Sequence, residues 1–594
     1  MPNLYAYLQQ LHESDLYPFH MPGHKRRTDL FEEEMPSLCG MYETDFTETA
    51  FTDDLHHPTG MIADLQDRAN RLYGEDRADL ETRLLVNGAT CGVLAAVSAL
   101  TNEGDTVIVA RNAHRSLYHA LYLKRLRVVY ISPQVSDKYP FAGPVSPDDL
   151  ANAIALAPEA KAVFITSPTY EGVLSDVALL SVVAHAHDIP LVVDAAHGAH
   201  LGLYQGLPRG AVRQGADVVI HSLHKTLAGM TQTALLHMQG VLVDRSRIGR
   251  FLKIYQTTSP SFPLMVSVDA AISDLARNNV FRFETLLTYK ETVLTESIAL
   301  RTMSVAPKEA VPDPSKVVII PQLINGMQLA YMLRTEHRIE PEMAVSTHVV
   351  CIITPYDTAE GIERLMNALY EIDREIYEAV YGPEETEETG EEKPAEPVTP
   401  AAAGFQPIVA PGTYAATQES GWGEAPEAEW EGDPEWEEDP EPDIIIVGSE
   451  ETADATVFPE AVIAPDDPED AEETETVKET EEAEEAEEAE EAEPVWESPA
   501  YSLHTQFTGG LFPEIPAAYM SIADAWDKES GEISLAEAAG LISADFIYAY
   551  PPGIPLIVPG EAFTEELCAY LLSRCAAEEL HGVTPEGMVR CVLA

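Results

Sequence analysis

IPLVVDAAHGAH (residues 189–200) and ADVVIHSLHKT (216–226) decide how this chain is read. Each is a short run of aliphatic, mostly β-branched residues that stops abruptly at polar ones: Asp194 in the first, His221 to Thr226 in the second. Apolar residues at consecutive rather than alternate positions suit a strand covered on both faces. The pattern extends outward through TRLLVNG, DTVIVARNAH, RVVYISP and AVFITSP, with helical stretches such as CGVLAAVSAL between several of them. Strands alternating with helices at this spacing predict βαβ units and a mostly parallel sheet. Ligands bind beyond the carboxyl ends of such strands, so the polar residues that follow each run are the candidate site.

Lys225 stands just past the second run, flanked by Ser222, His224 and Thr226 and followed by the small and apolar LAGMTQTALL. A lysine desolvated in that setting has a lowered pKa and can form a Schiff base with an aldehyde cofactor. Asp194 ends the first run, where a carboxylate can keep a heteroaromatic nitrogen protonated so that the ring acts as an electron sink. Together the two residues suit the two poles of pyridoxal 5'-phosphate. A third element, VNGATCGVLAAVSAL (86–100), reads as strand, glycine turn and helix. The amides of Ala89, Thr90 and Cys91 at that helix start would form an anion site for the cofactor phosphate. His114, shortly after TVIVA, is a candidate to stack on the cofactor ring.

HMPGHK (20–25), DDLHHPTG (53–60), VNGATCG (86–92), RNAHRS (111–116), SPTYEG (167–172), DAAHGAHLG, HSLHKT and YPPGIPLIVPGE (550–561) occur here in one order. In that order the chain resembles the ornithine/lysine/arginine decarboxylase family, and most closely its shorter branch without an N-terminal wing domain. The resemblance covers about residues 1–380 and 500–594. It implies an α/β fold of the pyridoxal-phosphate fold type I: a large domain on a mostly parallel sheet and a smaller α+β C-terminal domain. It also implies decarboxylation of a basic amino acid, and a homodimer or dimer-based assembly. By resemblance Lys225 is the Schiff-base lysine, Asp194 pairs with the pyridine nitrogen and His114 stacks on the ring. Ala89, Thr90 and Ser222 hold the phosphate, His197 lies beside the ring, and His224 is a candidate proton donor. Ala89 replaces the family's usual hydroxyl residue, which keeps an amide and removes one side-chain contact. Asp53, Asp54 and Glu561 are the candidate acids for the substrate's distal cation.

Charge divides the chain. The 594 residues carry a formal net charge of −64, which excludes generic binding to nucleic acid or to anionic membrane surfaces. Residues 384–497 hold 41 acidic and 2 basic side chains, a net of −39, leaving −25 for the other 480 residues. This tract is rich in Pro, Glu and Ala, ends in the triplet repeat EEAEEAEEAEEA, and reads as a disordered insertion. Four of the five tryptophans (Trp422, Trp430, Trp436, Trp496) lie in it, which makes it a candidate for docking a protein partner. The expected segments are 1–60 with the HMPGH and DDLHHP loops, 61–265 as the cofactor-binding domain, and 266–382 as a helical connection and first part of the small domain. The insertion follows at 383–498 and the C-terminal domain at 499–594. Six cysteines without CxxC spacing, and no apolar run long enough to cross a membrane, predict a cytoplasmic protein. Three other readings compete: an aminotransferase or amino-acid lyase reusing Lys225 and Asp194, a metal-dependent hydrolase built on the histidine pairs, and a non-catalytic scaffold.

Overall fold

The computed structural model describes residues 3–382 and 516–593, apart from 15, 31, 34, 75–76, 550–552 and 576–579. The acidic tract therefore lies outside the described residues. Seven strands build the large sheet: β1 (Glu81–Leu85), β2 (Thr106–Ala110), β3 (Arg127–Ile131), β4 (Val163–Thr166), β5 (Leu191–Asp194), β6 (Val218–Ser222) and β7 (Ala234–Met238). Their order is β1-β7-β6-β5-β4-β2-β3. Pairing is parallel from β6 through to β3, whereas β7 runs antiparallel to both its neighbours, β1 and β6. Every described β2, β6 and β7 residue is buried, as consecutive apolar runs require.

Alternate residues of these strands feed two cores. Ile108, Val163, Val193 and Val219 face one side, with the 35-residue helix Phe262–Glu296 packed there. Val107, Phe164, Val192 and Ile220 face the other, beneath the helices Gly88–Leu100, Arg115–Leu123 and Arg245–Tyr255. The long helix leads to an antiparallel sheet of β8 (Met303–Val305), β9 (Lys316–Pro321), β10 (Met343–Ala344) and β11 (Val349–Ile352), in the order β10-β11-β9-β8. Its helices are Gly326–Thr335 and Ala359–Tyr381.

This second sheet is complete before residue 382, so residues 516–593 do not add strands to it. They form β12 (Ser530–Ser534), β13 (Ile547–Ala549), β14 (Pro555–Ile557), β15 (Leu580–His581) and β16 (Met588–Val592), paired among themselves. Ile522, Phe546 and Val558 insert into the second core of the large sheet. Arg111 fixes the same junction by donating to the carbonyl oxygen of Pro555 (2.7 Å) and to Glu561 (3.1 Å). No described helix is long and apolar enough to cross a membrane.

Candidate active site

The sheet direction brings the chemistry to one edge. Asn87 to Cys91 follow β1, His114 follows β2, Thr166 ends β4, Asp194 ends β5, and Ser222 ends β6 with Lys225 one short turn later. Because β2, β4, β5 and β6 are parallel, these are all carboxyl ends, where the sequence places the site.

Lys225 is largely buried, and its Nζ lies 3.1 Å from Nε2 of His197. Burial lowers the lysine's pKa, against the opposing charges of Asp194 and Glu342. Asp194 shows the converse: burial raises its pKa and Lys225 opposes the rise. Its Oδ1 accepts the amide of Ala196 (3.1 Å), and it borders a small cavity with Val93, Ala113, Phe164 and Thr166. A desolvated carboxylate on a cavity wall suits a cationic N–H partner, which is what a protonated pyridine nitrogen offers. Within the same cavity the Thr166 hydroxyl is buried without a hydrogen-bond partner. Ala89 and Thr90 lie in the first turn of Gly88–Leu100 with amides no intrahelical carbonyl can satisfy, whereas the amide of Cys91, one residue on, falls to the carbonyl of the N-cap Asn87. Gly88 precedes them at φ +75°, a left-handed conformation suited to glycine. The residues present thus fit pyridoxal phosphate at both ends.

His114 caps the helix Arg115–Leu123, its Nδ1 accepting the amide of Ser116 (3.2 Å). Burial, with Lys225 nearby, lowers its pKa to about 4, so the ring is neutral at physiological pH. His197 is 5% exposed and packs against Tyr170 in a tilted arrangement, with centroids 4.6 Å and planes 59° apart. Ser222 is buried at the end of β6. His224 pairs through Nδ1 with the carbonyl oxygen of Thr233 (3.1 Å), so Nδ1 carries the proton and Nε2 is left with a lone pair.

The three acids expected to read the substrate cation are placed differently. Asp53 is 6% exposed, and both of its oxygens accept backbone amides, from Asp54 and Thr59 on one and from Gly60, Ile62 and Ala63 on the other. It fastens the start of the helix Met61–Gly74. Asp54 accepts the amides of His56 and His57 within its own turn. Glu561 is fully buried, and its cation is Arg111, not a ligand. Backbone amides take up both oxygens of Asp53 and the Arg111 ion pair takes up one oxygen of Glu561, while Asp54 stays half-exposed and Oε1 of Glu561 is buried without a partner.

Sequence reasoning missed Lys316, wholly buried at the start of β9, with Nζ 2.8 Å from Nδ1 of His197. It also missed Glu342, bonded by the Tyr170 hydroxyl and electrostatically linked to Lys225 and Lys316. The available signal was a lysine opening an otherwise apolar strand, KVVIIP. The histidine pairs serve internal bonds: His24 to Asp45, His200 to Asp313, His221 to His237. No group of three potential metal ligands gathers among the described residues.

The fold, with Lys225 and Asp194 at the carboxyl edge of its sheet, suits a pyridoxal-phosphate-dependent enzyme of fold type I. The model of the Orn/Lys/Arg decarboxylase major domain matches residues 2–300 and that of its C-terminal domain matches residues 506–586, so the chain belongs to the Orn/Lys/Arg decarboxylase family. An uncharacterized Bacillus subtilis protein, YaaO, is 38% identical over 45% of this chain; the match spans about half of that relative, 55% of its length. A Bacillus subtilis arginine decarboxylase is 26% identical over 97% of this chain and 94% of its own. The constitutive lysine decarboxylase of Escherichia coli shares the fold, at a TM-score of 0.65 and 17% identity, over 100% of this chain and 82% of its own.

Proposed function

We propose that this chain decarboxylates a basic amino acid, that arginine is its substrate, and that it works as a homodimer. The observation that carries the reaction is the convergence of Lys225, Asp194, His114 and His197 at one sheet edge, with the Lys225 amine driven toward its neutral, nucleophilic form by burial. Arginine is favoured because the relatives matched over most of their own length, 94% and 78%, are named arginine decarboxylases.

The roles follow from placement. Lys225 would hold the cofactor covalently, Asp194 would keep a proton at its ring nitrogen, and the amides of Ala89 and Thr90 with Ser222 would take its phosphate. When bound, pyridoxal phosphate supplies the electron sink for the pair left on Cα as carbon dioxide departs. The neutral His114 would cover a ring face without adding a charge. Lys225, once freed by substrate, would carry a proton back to Cα; His224, whose Nε2 holds a lone pair, would first have to take one up there.

The test is carbon dioxide release and amine formation from arginine, lysine and ornithine by the purified protein, with its mass measured by light scattering. Turnover fastest with arginine, without any 2-oxo acid acceptor, is expected. A strict requirement for such an acceptor would make the enzyme an aminotransferase instead.

A further inference from the structure

The two segments that would hold the cofactor meet at Gln232 and Thr233. β7 lies between β1 and β6, and its register with both ends at Ala234, opposite Leu85 on one side and Ser222 on the other. The two residues before Ala234 carry the pairing past the strands and into the turns beyond. The carbonyl oxygen of Thr233 accepts the amide of Leu223 (3.0 Å) and lies 3.1 Å from Nδ1 of His224, in the short helical turn that bears Lys225. The carbonyl oxygen of Gln232 accepts the amide of Gly88 (2.9 Å), where the helix Gly88–Leu100 begins.

The Gln232 side chain adds a second hold on that helix start. Its Nε2 donates to the carbonyl oxygen of Val86 (2.7 Å), so one residue bonds the turn on both sides of Asn87. Gly88 joins strand to helix at φ +75° and has no side chain to restrain it, so what fixes this turn must come from outside. Gln256 Oε1 accepts the Val86 amide (2.9 Å) and Asn87 Oδ1 accepts the Thr257 amide (3.3 Å), which tie the turn to the end of the helix Arg245–Tyr255. Gln232 ties it to the segment of Lys225.

The loop that delivers Gln232 is itself fastened. The amide of Met230 donates to Oγ of Ser267 (3.1 Å), and Thr233 returns its amide (3.1 Å) and its hydroxyl (2.7 Å) to the Met230 carbonyl oxygen. Closure of this loop puts Gln232 at φ +86°, which glycine adopts freely and glutamine only at a cost. A glycine there would offer Gly88 the same carbonyl oxygen more cheaply. What the glutamine adds is the Nε2 bond to Val86.

We propose that Gln232 is a positioning residue for the cofactor phosphate: it holds the turn of Val86 to Gly88 against the Lys225 segment, and so sets the Ala89 and Thr90 amides at a fixed place relative to the lysine amine. The proposal rests on the reading of that helix start as the phosphate site. An aldehyde held at both its phosphate and its carbonyl end feels the loss of this link, whereas the same aldehyde without a phosphate does not.

The full-length, cofactor-stripped protein is titrated with pyridoxal 5'-phosphate and, separately, with pyridoxal, by isothermal titration calorimetry. Gln232→Met keeps the length of the side chain and removes its donor; Gln232→Gly removes the donor and relaxes the backbone, and it carries the test alone if the Met variant fails to fold. Gln232 is exposed, so neither change reaches the cores. In both variants the Kd for pyridoxal phosphate should rise about fivefold, the effect of one lost hydrogen bond, while that for pyridoxal stays within about twofold. An unchanged ratio of the two constants in the variants overturns the proposal, whether both ligands hold or both weaken together as a merely loosened fold would make them. Failure of the underlying reading shows instead in the parent: equal affinity for the two aldehydes there would mean that no phosphate site exists at this turn, and would overturn both.

Discussion

Replacing Gly172 with alanine loads the site at the point where backbone and buried lysine meet. The φ of +96° costs a non-glycine residue about 1–2 kcal/mol. The new methyl would lie 2.6 Å from Lys316 Cγ, 2.9 Å from its Cβ and 3.0 Å from Asp313 Cβ, and overpacking of this kind adds about 1–3 kcal/mol. The expected loss is therefore roughly 2–5 kcal/mol. Unfolding entropy of about 2.1 cal/mol/K per residue over roughly 450 ordered residues approaches 1 kcal/mol/K, so Tm should fall by about 2–5 °C. Differential scanning calorimetry reads this, with Gly249→Ala as the control. Gly249 lies in the helix Arg245–Tyr255, where a Cβ meets nothing within 4 Å, and alanine should hold or slightly raise Tm there. A Gly172→Ala protein that melts within 1 °C of the parent would refute the reasoning.

Asp194→Asn removes the charge that would hold a proton on the ring nitrogen, and kcat should fall by about 10²–10⁴ while cofactor still binds; a loss under threefold in steady-state carbon dioxide release would contradict that role. Glu561→Gln should lower Tm, because Arg111 is left buried without its counter-charge, and leave KM within about twofold; a tenfold rise in KM would return Glu561 to the substrate site. Burial holds the pKa of His221 at about 3 and that of His114 at about 4, below the roughly 6.5 of an unfolded chain. Between those limits the unfolded state binds protons the native state does not, so this stability is present above about pH 6.5 and lost as pH falls toward 4 and 3. Tm measured from pH 7 to 4 should drop, less steeply in His221→Asn; a flat profile in the parent would contradict it.

The large domain was legible because its strands are buried on both faces, and such strands write themselves as uninterrupted apolar runs. VVIHS and LVVD could be read for that reason, and so could the residues just beyond them, Lys225 and Asp194. The direction of β7 was not, since ALLHM is equally buried whether it runs parallel or antiparallel. Nor could the sequence show that the described strands of residues 516–593 form sheets of their own. That depends on Ile522, Phe546 and Val558 finding a core formed hundreds of residues earlier.

The surroundings of Asp53 and Glu561 have a physical cause that Lys316 illustrates in reverse. Asp53 and Glu561 lie in motifs full of glycine and proline, where turns leave amides and carbonyls that side chains must satisfy. Their carboxylates were needed locally before any substrate arrived. Lys316 lies in no such turn-rich motif and opens a strand that reads as ordinary core. Its partner His197 is 119 residues away, so no spacing rule links them. What betrays it is cost: a lysine with no exposed surface persists only if its charge is compensated or its proton is needed. Asp313, Glu342 and Glu171 favour its charged form against burial, and Nδ1 of His197 lies 2.8 Å from its Nζ.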